Sequence, residues 1–147
     1  MMIEHMEIRP LGKEDIDEVV RIHHVITGKP TPAVVRELLR KSLDDRSSAA
    51  FVAVLDGHVV GFMMGVFKRG AFGLDHSFWI EMMGVDPKYM GSGIGQAIGT
   101  KVFEFCKDQG VHDVYTTVRW DSVDLLSFFK TLGFDRSNFI NLKKSLQ

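Results

Sequence analysis

The chain has 147 residues, 45% of them hydrophobic and 25% charged, which suits one globular domain with a sizeable core and excludes a disordered or fibrous polypeptide. Eighteen Lys and Arg stand against nineteen Asp and Glu, for a formal net charge of -1, so no global basic field marks nucleic acid as the partner and any anion site has to be local. Cys106 is the single cysteine, which rules out an internal disulfide and a thiolate metal cluster. With no apolar signal core and no run near the ~20 residues of a membrane span, the expectation is a soluble cytoplasmic protein without membrane partners.

No internal repeat, low-complexity tract or linker-like stretch interrupts residues 1–147, which read as one continuous domain. HMEIRP alternates and stops at Pro10, predicting a short first strand. From Lys13, the residues Ile16, Val19, Val20 and His23 share one helical face behind acidic Glu14 and Asp15, so a helix is expected to run to Thr27-Gly28. Pro32 opens a second helix, in which Val34, Val35, Leu38, Leu39 and Leu43 keep helical spacing through Asp44. AAFVAVL and HVVGFMMGVFKR, joined by Asp56-Gly57, read as a hairpin, because Asp-Gly supplies the positive φ angles of a tight turn. DHSFWIEMMGVDP is an apolar strand closed by Pro87. Ile94, Ile98, Val102, Phe105 and Cys106 set out a third helix to about Asp108, with Gly110 as its stop. DVYTTVRW is the next strand, SVDLLSFFKTL a fourth helix ended by Gly133, and NFINLKKSL a last strand. The order β-α-α-β-β-β-α-β-α-β is mixed α/β, with one strand–helix–strand crossover between Trp79 and Trp120.

The segment YMGSGIGQAIG, Tyr89 to Gly99, puts four glycines into eleven residues between a strand and a helix. A strand, a glycine-rich turn and a helix start make a general anion cradle: free amides converge, and the helix dipole adds partial positive charge. No Gly-Lys-Ser/Thr follows Gly91, Gly93 and Gly95, which argues against a nucleotide-hydrolysis loop. The mid-chain position argues against a dinucleotide fingerprint.

On these residues the sequence resembles the GNAT N-acetyltransferase superfamily. That family's pyrophosphate turn follows Arg/Gln-x-x-Gly-x-Gly/Ala, typically within VDPxYRGxGIG, where this chain reads VDPKYMGSGIG. The likeness extends to IRPLGKEDIDEV, DGHVVGF, the VRWDS and FFKTLGF block, and the closing LKKSL, in family order over nearly the whole chain. It implies a GNAT fold: a single mixed, mostly antiparallel twisted sheet of about six to seven strands, flanked by about four helices, with splayed central strands. It implies acetyl-coenzyme A as cosubstrate and no metal. The amides of Gly91, Ser92, Gly93, Ile94 and Gly95 would hold the pyrophosphate, and Met83, Gly84 and Val85 would meet the pantetheine and acetyl group. In the family the preceding strand carries a bulge, and Gly84 sits where it is expected; a glycine inside a strand independently suggests a bulge or a close backbone approach.

Two positions depart from the pattern. Met90 stands at the Arg/Gln position and lacks a donor worth ~1.5–3 kcal/mol, so binding should weaken without being lost, with Lys88 or Ser92 in partial compensation. Phe129 stands where the family often has a Tyr acting as general acid toward the departing thiolate, and neither Tyr89 nor Tyr115 matches that place. A thiol of pKa about 8.5 leaves fairly well unprotonated; Ser122, at the place of a frequent family Asn, or a water is the substitute.

Deprotonating an alkylammonium of pKa ~10.4 near pH 7 costs ~4–5 kcal/mol, so a general base is valuable. Glu81, the one charged residue of FWIEMMGV, is the candidate. That strand is apolar enough to be covered on both faces, and burial would raise its pKa toward the useful range; an ion pair with Arg or Lys is the competing reading. Asp75 and His76 have equal claims as pocket lining and as a solvated turn. His23 and His24 read as one packed and one exposed residue and Cys106 as core; for Phe62, Met63, Met64 and Phe67 core is the default and reach into the acceptor groove the alternative. The expected function is acetyl transfer to a primary amine by direct attack in a ternary complex. The acceptor, small molecule or protein, is left open. The alternative is a catalytically degenerate acyl-coenzyme A sensor, for which Met90 and Phe129 speak. A homodimer is common in the family, and no residue decides it.

Overall fold

Five strands form one sheet in chain order: β1 (Met6–Pro10), β2 (Ser48–Leu55), β3 (His58–Arg69), β4 (His76–Val85) and β5 (Val114–Thr116). The first three junctions are antiparallel and the last is parallel. The computed structural model describes residues 5–147, which fall into two compact units, 5–117 and Val118–Gln147. The sheet and the helices α1 (Ile16–Ile26), α2 (Pro32–Leu43) and α3 (Ile94–Asp108) belong to the first unit.

Period-two alternation in the strands separates two layers. Val52, Phe62 and Met64 join Val19, Ile22, Val35 and Leu39 in one buried cluster, so α1 and α2 cover one face. On the other face α3 buries Ile94, Ile98, Val102 and Cys106, and its Phe105 ring lies 5.3 Å from Phe51 and 6.0 Å from Phe67. Each fully buried aliphatic or aromatic side chain contributes about 1.5–3 kcal/mol, and this two-sided packing holds β4 in place. Burial in the α3 layer pushes the Cys106 thiol up to about 12. A disulfide-exchange reagent at pH 8 should therefore leave native Cys106 unmodified and label it fully only after denaturation, which a colorimetric thiol count reads directly.

One ion pair ties β1 to the start of α1. Asp15, 3% exposed, takes Arg9 Nη1 at 2.7 Å and Nη2 at 3.0 Å, and its Oδ2 also accepts the Gly12 amide at 2.7 Å. Burial alone would raise the Asp15 carboxyl; the Arg9 and Gly12 hydrogen bonds and the Arg9 charge outweigh it, and the net shift is downward.

The second unit contains α4 (Val123–Thr131). The helix stops at Gly133, φ 91°, where the Phe134 amide reaches back to Phe129 O at 3.0 Å and the Phe129 ring meets Phe128 and Phe134 edge-on. Two sequence expectations are corrected. NFINLKKSL forms no strand, so the sheet has five strands and not six or seven: Ile140 and Leu142 are 84% and 88% exposed, and a strand without ladder partners or a buried face has nothing to stabilise it. The DVYTTVRW strand is likewise cut to Val114–Thr116, because pairing with β4 ends at Ile80 and Thr116.

Candidate active site

The sheet changes character at Ile80. From Phe78 to Ile80 β4 is paired on both edges, to β3 and to β5; from Met82 to Val85 it pairs only with β3. The Thr116 hydroxyl donates to Ile80 O at 3.1 Å and closes the β4–β5 ladder there. The central strands therefore splay, as expected, and leave one edge of residues 81–85 without a strand partner among the described residues.

The bulge is not at Gly84. Met64 faces Met82 and Gly65 faces Ile80, so Glu81 is the extra residue, while Gly84 sits in register opposite Phe62. Gly84 serves the other purpose of a strand glycine, close approach: a Cβ there would lie 2.8 Å from Ile26 Cδ1 and 2.9 Å from Phe62 Cε1. The end of α1 thus rests directly on β4. Glu81 is exposed and not covered on both faces, a second correction. A bulge frees the residue from the ladder, and an ionised carboxylate with no buried cation beside it is stable only where water reaches it.

Beyond β4, Asp86 organises the turn. It is buried, accepts the Lys88 amide at 3.0 Å and the Arg21 Nη2 of α1 at 3.2 Å, and its own amide donates to Val60 O at 2.8 Å. The Lys88 amide holds its carboxyl below the usual carboxylate range; burial opposes this and Arg21 reinforces it. A short 3-10 turn, Pro87–Tyr89, follows, then Gly91 and Gly93 at φ 83° and 85°. Nothing lies within 4 Å of a Cβ at either glycine, so their requirement is conformational and the space above the turn is open. The first helical bond of α3 runs from Ala97 to Gly93 O at 3.0 Å; the amides of Gly91, Gly93, Ile94, Gly95 and Gln96 donate to nothing among the described residues. No acidic residue occupies the first turn of α3, so its dipole is uncompensated.

Met83 and Val85 are half-buried, and Met90 is 59% exposed. Ser92 is no free donor: its hydroxyl hydrogen-bonds to Tyr89 O, so only Lys88, exposed on the turn, is left of the two side chains expected to compensate for Met90. Within the second unit, Ser122 is the half-buried N-cap of α4 without capping a helix amide through its side chain, and Phe129 is buried. His23 is packed near Phe62 and His24 is exposed; burial, with the His24 charge second, pulls the His23 imidazole below its ordinary value. His76 lies 5.5 Å from the Phe67 ring and Asp75 is exposed. Phe62, Met63 and Met64 are core.

The open strand edge followed by a glycine turn with free amides at a helix start agrees with an independent comparison: the model of the acetyltransferase (GNAT) family matches residues 16–134. The chain belongs to this family.

Solved structures share the GNAT fold over the full length. A transcriptional regulator from Bacillus halodurans C-125 is 22% identical, with 97% of this chain and 100% of that chain covered at a TM-score of 0.82. AAC(6')-Iy in complex with the bisubstrate analog CoA-S-monomethyl-acetylneamine is 16% identical, with 98% and 100% covered at 0.85. The aminoglycoside acetyltransferase meta-AAC0020, from an uncultured soil metagenomic sample in complex with trehalose, is 18% identical, with 99% and 100% covered at 0.81. At these identities the likeness shows the fold alone. Among the described residues no helix is long and apolar enough to cross a membrane.

Sequence reasoning missed the brace under the GNAT turn. Asp86 before Pro87 is a local cue for a capped turn, but Arg21 lies 65 positions away and carries no cue of its own. It also missed the stack of Trp79 on Tyr115, centroids 4.6 Å apart, which depends on the parallel register of β4 and β5.

Proposed function

We propose that this chain is an acetyl-coenzyme A-dependent N-acetyltransferase acting on a primary amine by direct attack in a ternary complex. We further propose that its two compact units form one acetyltransferase domain, as the family match from 16 to 134 crosses their boundary. One observation carries the reading: a run of β4 with one edge unpaired leads into a turn with five free amides and an uncompensated helix dipole. AAC(6')-Iy, which has the same fold, is a complex with a CoA bisubstrate analog, in agreement with it.

Acetyl-coenzyme A, when bound, supplies the thioester carbonyl. The residues divide the remaining work. Gly91, Gly93, Ile94 and Gly95 hold the pyrophosphate through free backbone amides, with Ser92, whose amide and hydroxyl both donate to Tyr89 O, shaping the turn beside Met90, which adds no donor. Met83, Gly84 and Val85 line the pantetheine and acetyl group, and amides of this run polarise the carbonyl. Glu81, freed from the ladder by its bulge, takes the proton of the acceptor ammonium at its carboxylate, directly or through a water. Ser122, near Phe129 in sequence on α4, is the candidate proton donor to the departing sulfur. The lone buried thiol suits a reducing cytoplasm.

Acetyl-coenzyme A consumption against a panel of primary amines, paired with calorimetric binding, tests this. Saturable binding without turnover on any amine would sink the enzyme reading in favour of an acyl-coenzyme A sensor. Gly93→Val tests the cradle itself. A branched residue at φ 85° is strained although no neighbour obstructs it, so coenzyme A affinity should fall roughly tenfold, about 1.4 kcal/mol, with a melting temperature lowered by only about 3–8 °C, so that the variant still folds for the measurement. Unchanged affinity would remove the turn from the binding site.

A further inference from the structure

Hydrogen bonds, rather than packing, hold the glycine turn. A cavity of about 290 Å³ opens between α1, the start of β3 and the turn, with Glu18, Arg21, His58 and Tyr89 in its walls, and nothing lies within 4 Å of a Cβ at Gly91 or Gly93. The β3–β4 ladder ends at Val85, and the Asp86 amide adds one more bond, to Val60 O at 2.8 Å. From there Asp86 carries the chain. Its Oδ1 accepts the Lys88 amide at 3.0 Å, its backbone O accepts the Tyr89 amide at 2.8 Å, and Tyr89 O accepts the amide and hydroxyl of Ser92, which stands between Gly91 and Gly93. The other carboxylate oxygen of Asp86 takes Arg21 Nη2 at 3.2 Å, the one side-chain donor to Asp86 among the described residues. Arg21 stands on a fixed base. Its helix buries Val19 and Ile22 completely, Glu18 accepts the Val59 amide at 3.2 Å one turn earlier, and Ile26 closes on Gly84.

Resting on the reading of this turn as the coenzyme cradle, we propose that Arg21 is a positioning residue for coenzyme A: through Asp86 it sets the aim of the free amides, and so the affinity, without touching the ligand. The reason lies in what the cradle lacks. Met90 brings no donor and the Ser92 hydroxyl is engaged by Tyr89 O, so the anion is held by backbone amides. A long side chain re-aims by rotating its own bonds, whereas an amide points where the backbone points. Affinity therefore follows the order of the turn before the ligand arrives. With a cavity behind it, the turn shifts once the Arg21 link is cut.

Calorimetric titration with coenzyme A tests this without catalysis. The Arg21 side chain is 52% exposed, so the pair adds little to folding. Arg21→Met should weaken coenzyme A about fivefold, about 1 kcal/mol, while melting temperature stays within about 4 °C of the parent. Asp86→Asn separates positioning from plain electrostatics. Asn keeps an oxygen for the Lys88 amide, presents an NH2 group to Arg21, and removes a negative charge beside an anion site. Charge alone predicts tighter binding; the brace predicts binding weakened about fivefold. In the Asp86→Asn background, Arg21→Met should cost less than twofold, because the link is already broken. With an amine that is acetylated, Arg21→Met should raise KM for acetyl-coenzyme A and leave kcat within twofold. Parental affinity in Arg21→Met, tighter binding in Asp86→Asn, a full Arg21→Met loss persisting in that background, or a fall in kcat at constant KM overturns the positioning role and leaves the coenzyme reading standing. A parent protein that does not bind coenzyme A overturns the coenzyme reading and the brace with it.

Discussion

Replacing Glu81 with Gln is expected to lower kcat for acetyl transfer at least a hundredfold while leaving coenzyme A affinity within about twofold of the parent. The substitution keeps the shape of the side chain and removes only its ability to accept a proton. Glu81 is exposed and is the residue excluded from the β3–β4 ladder, so the exchange breaks no buried contact and melting temperature should not move. The glycine turn proposed to hold the coenzyme begins only after Asp86, which is why binding should survive. Single-turnover rates and calorimetric affinities separate the two quantities. A variant with parental kcat would show that the proton leaves by another route, and a variant that loses coenzyme affinity in step with rate would show that Glu81 acts on binding.

The largest effect on stability is expected at Asp15. Asp15→Ala should cost about 2–3 kcal/mol, because it leaves Arg9 with only the exposed Glu7 carboxylate and Pro10 O and the Gly12 amide without its acceptor; this lies below the range for fully buried pairs, since Arg9 is about one-third exposed. A fall of roughly 8 °C in melting temperature corresponds to that loss for a chain of this size. The pH dependence has a definite sign. The folded-state Asp15 carboxyl lies below its usual value, so its contribution is fully present above the unfolded carboxylate pKa near 3.9 and disappears as pH falls through the lower folded value. The stability gap between parent and variant should be constant from about pH 5 to 8 and shrink below about pH 4. A gap that widened in acid would contradict the assignment.

Where a feature depends on neighbouring residues in the chain, it is legible in the sequence alone. All four helices and the Asp56-Gly57 hairpin lie where spacing and turn residues put them, within a residue or two at their ends except at the start of α1, where Lys13–Asp15 form a 3-10 turn and the α-helix begins three residues late, at Ile16. The glycine turn is equally legible, since Gly91 and Gly93 act through their own backbone angles and the free amides belong to the helix start directly after them. Features set by distant partners are not. The bulge lies at Glu81 because of how Met64 and Gly65 take their partners on β4, and a strand's own sequence does not contain its register. NFINLKKSL alternates well enough to suggest a strand, yet alternation without a ladder partner stabilises nothing.

The sequence by itself determined the family, the glycine turn at a helix start and the two departures from the family pattern, Met90 and Phe129, because each is a matter of residue identity at a position counted along the chain. Only the tertiary structure decided that Glu81 stands out of the ladder in solvent, that Gly84 exists to admit Ile26, that Arg21 braces the turn through Asp86, and that Lys68 rests on Trp79 and Phe72. The physical reason is the same in each case: these depend on free energies of contact between residues brought together by sheet register and helix packing, quantities that no local spacing encodes.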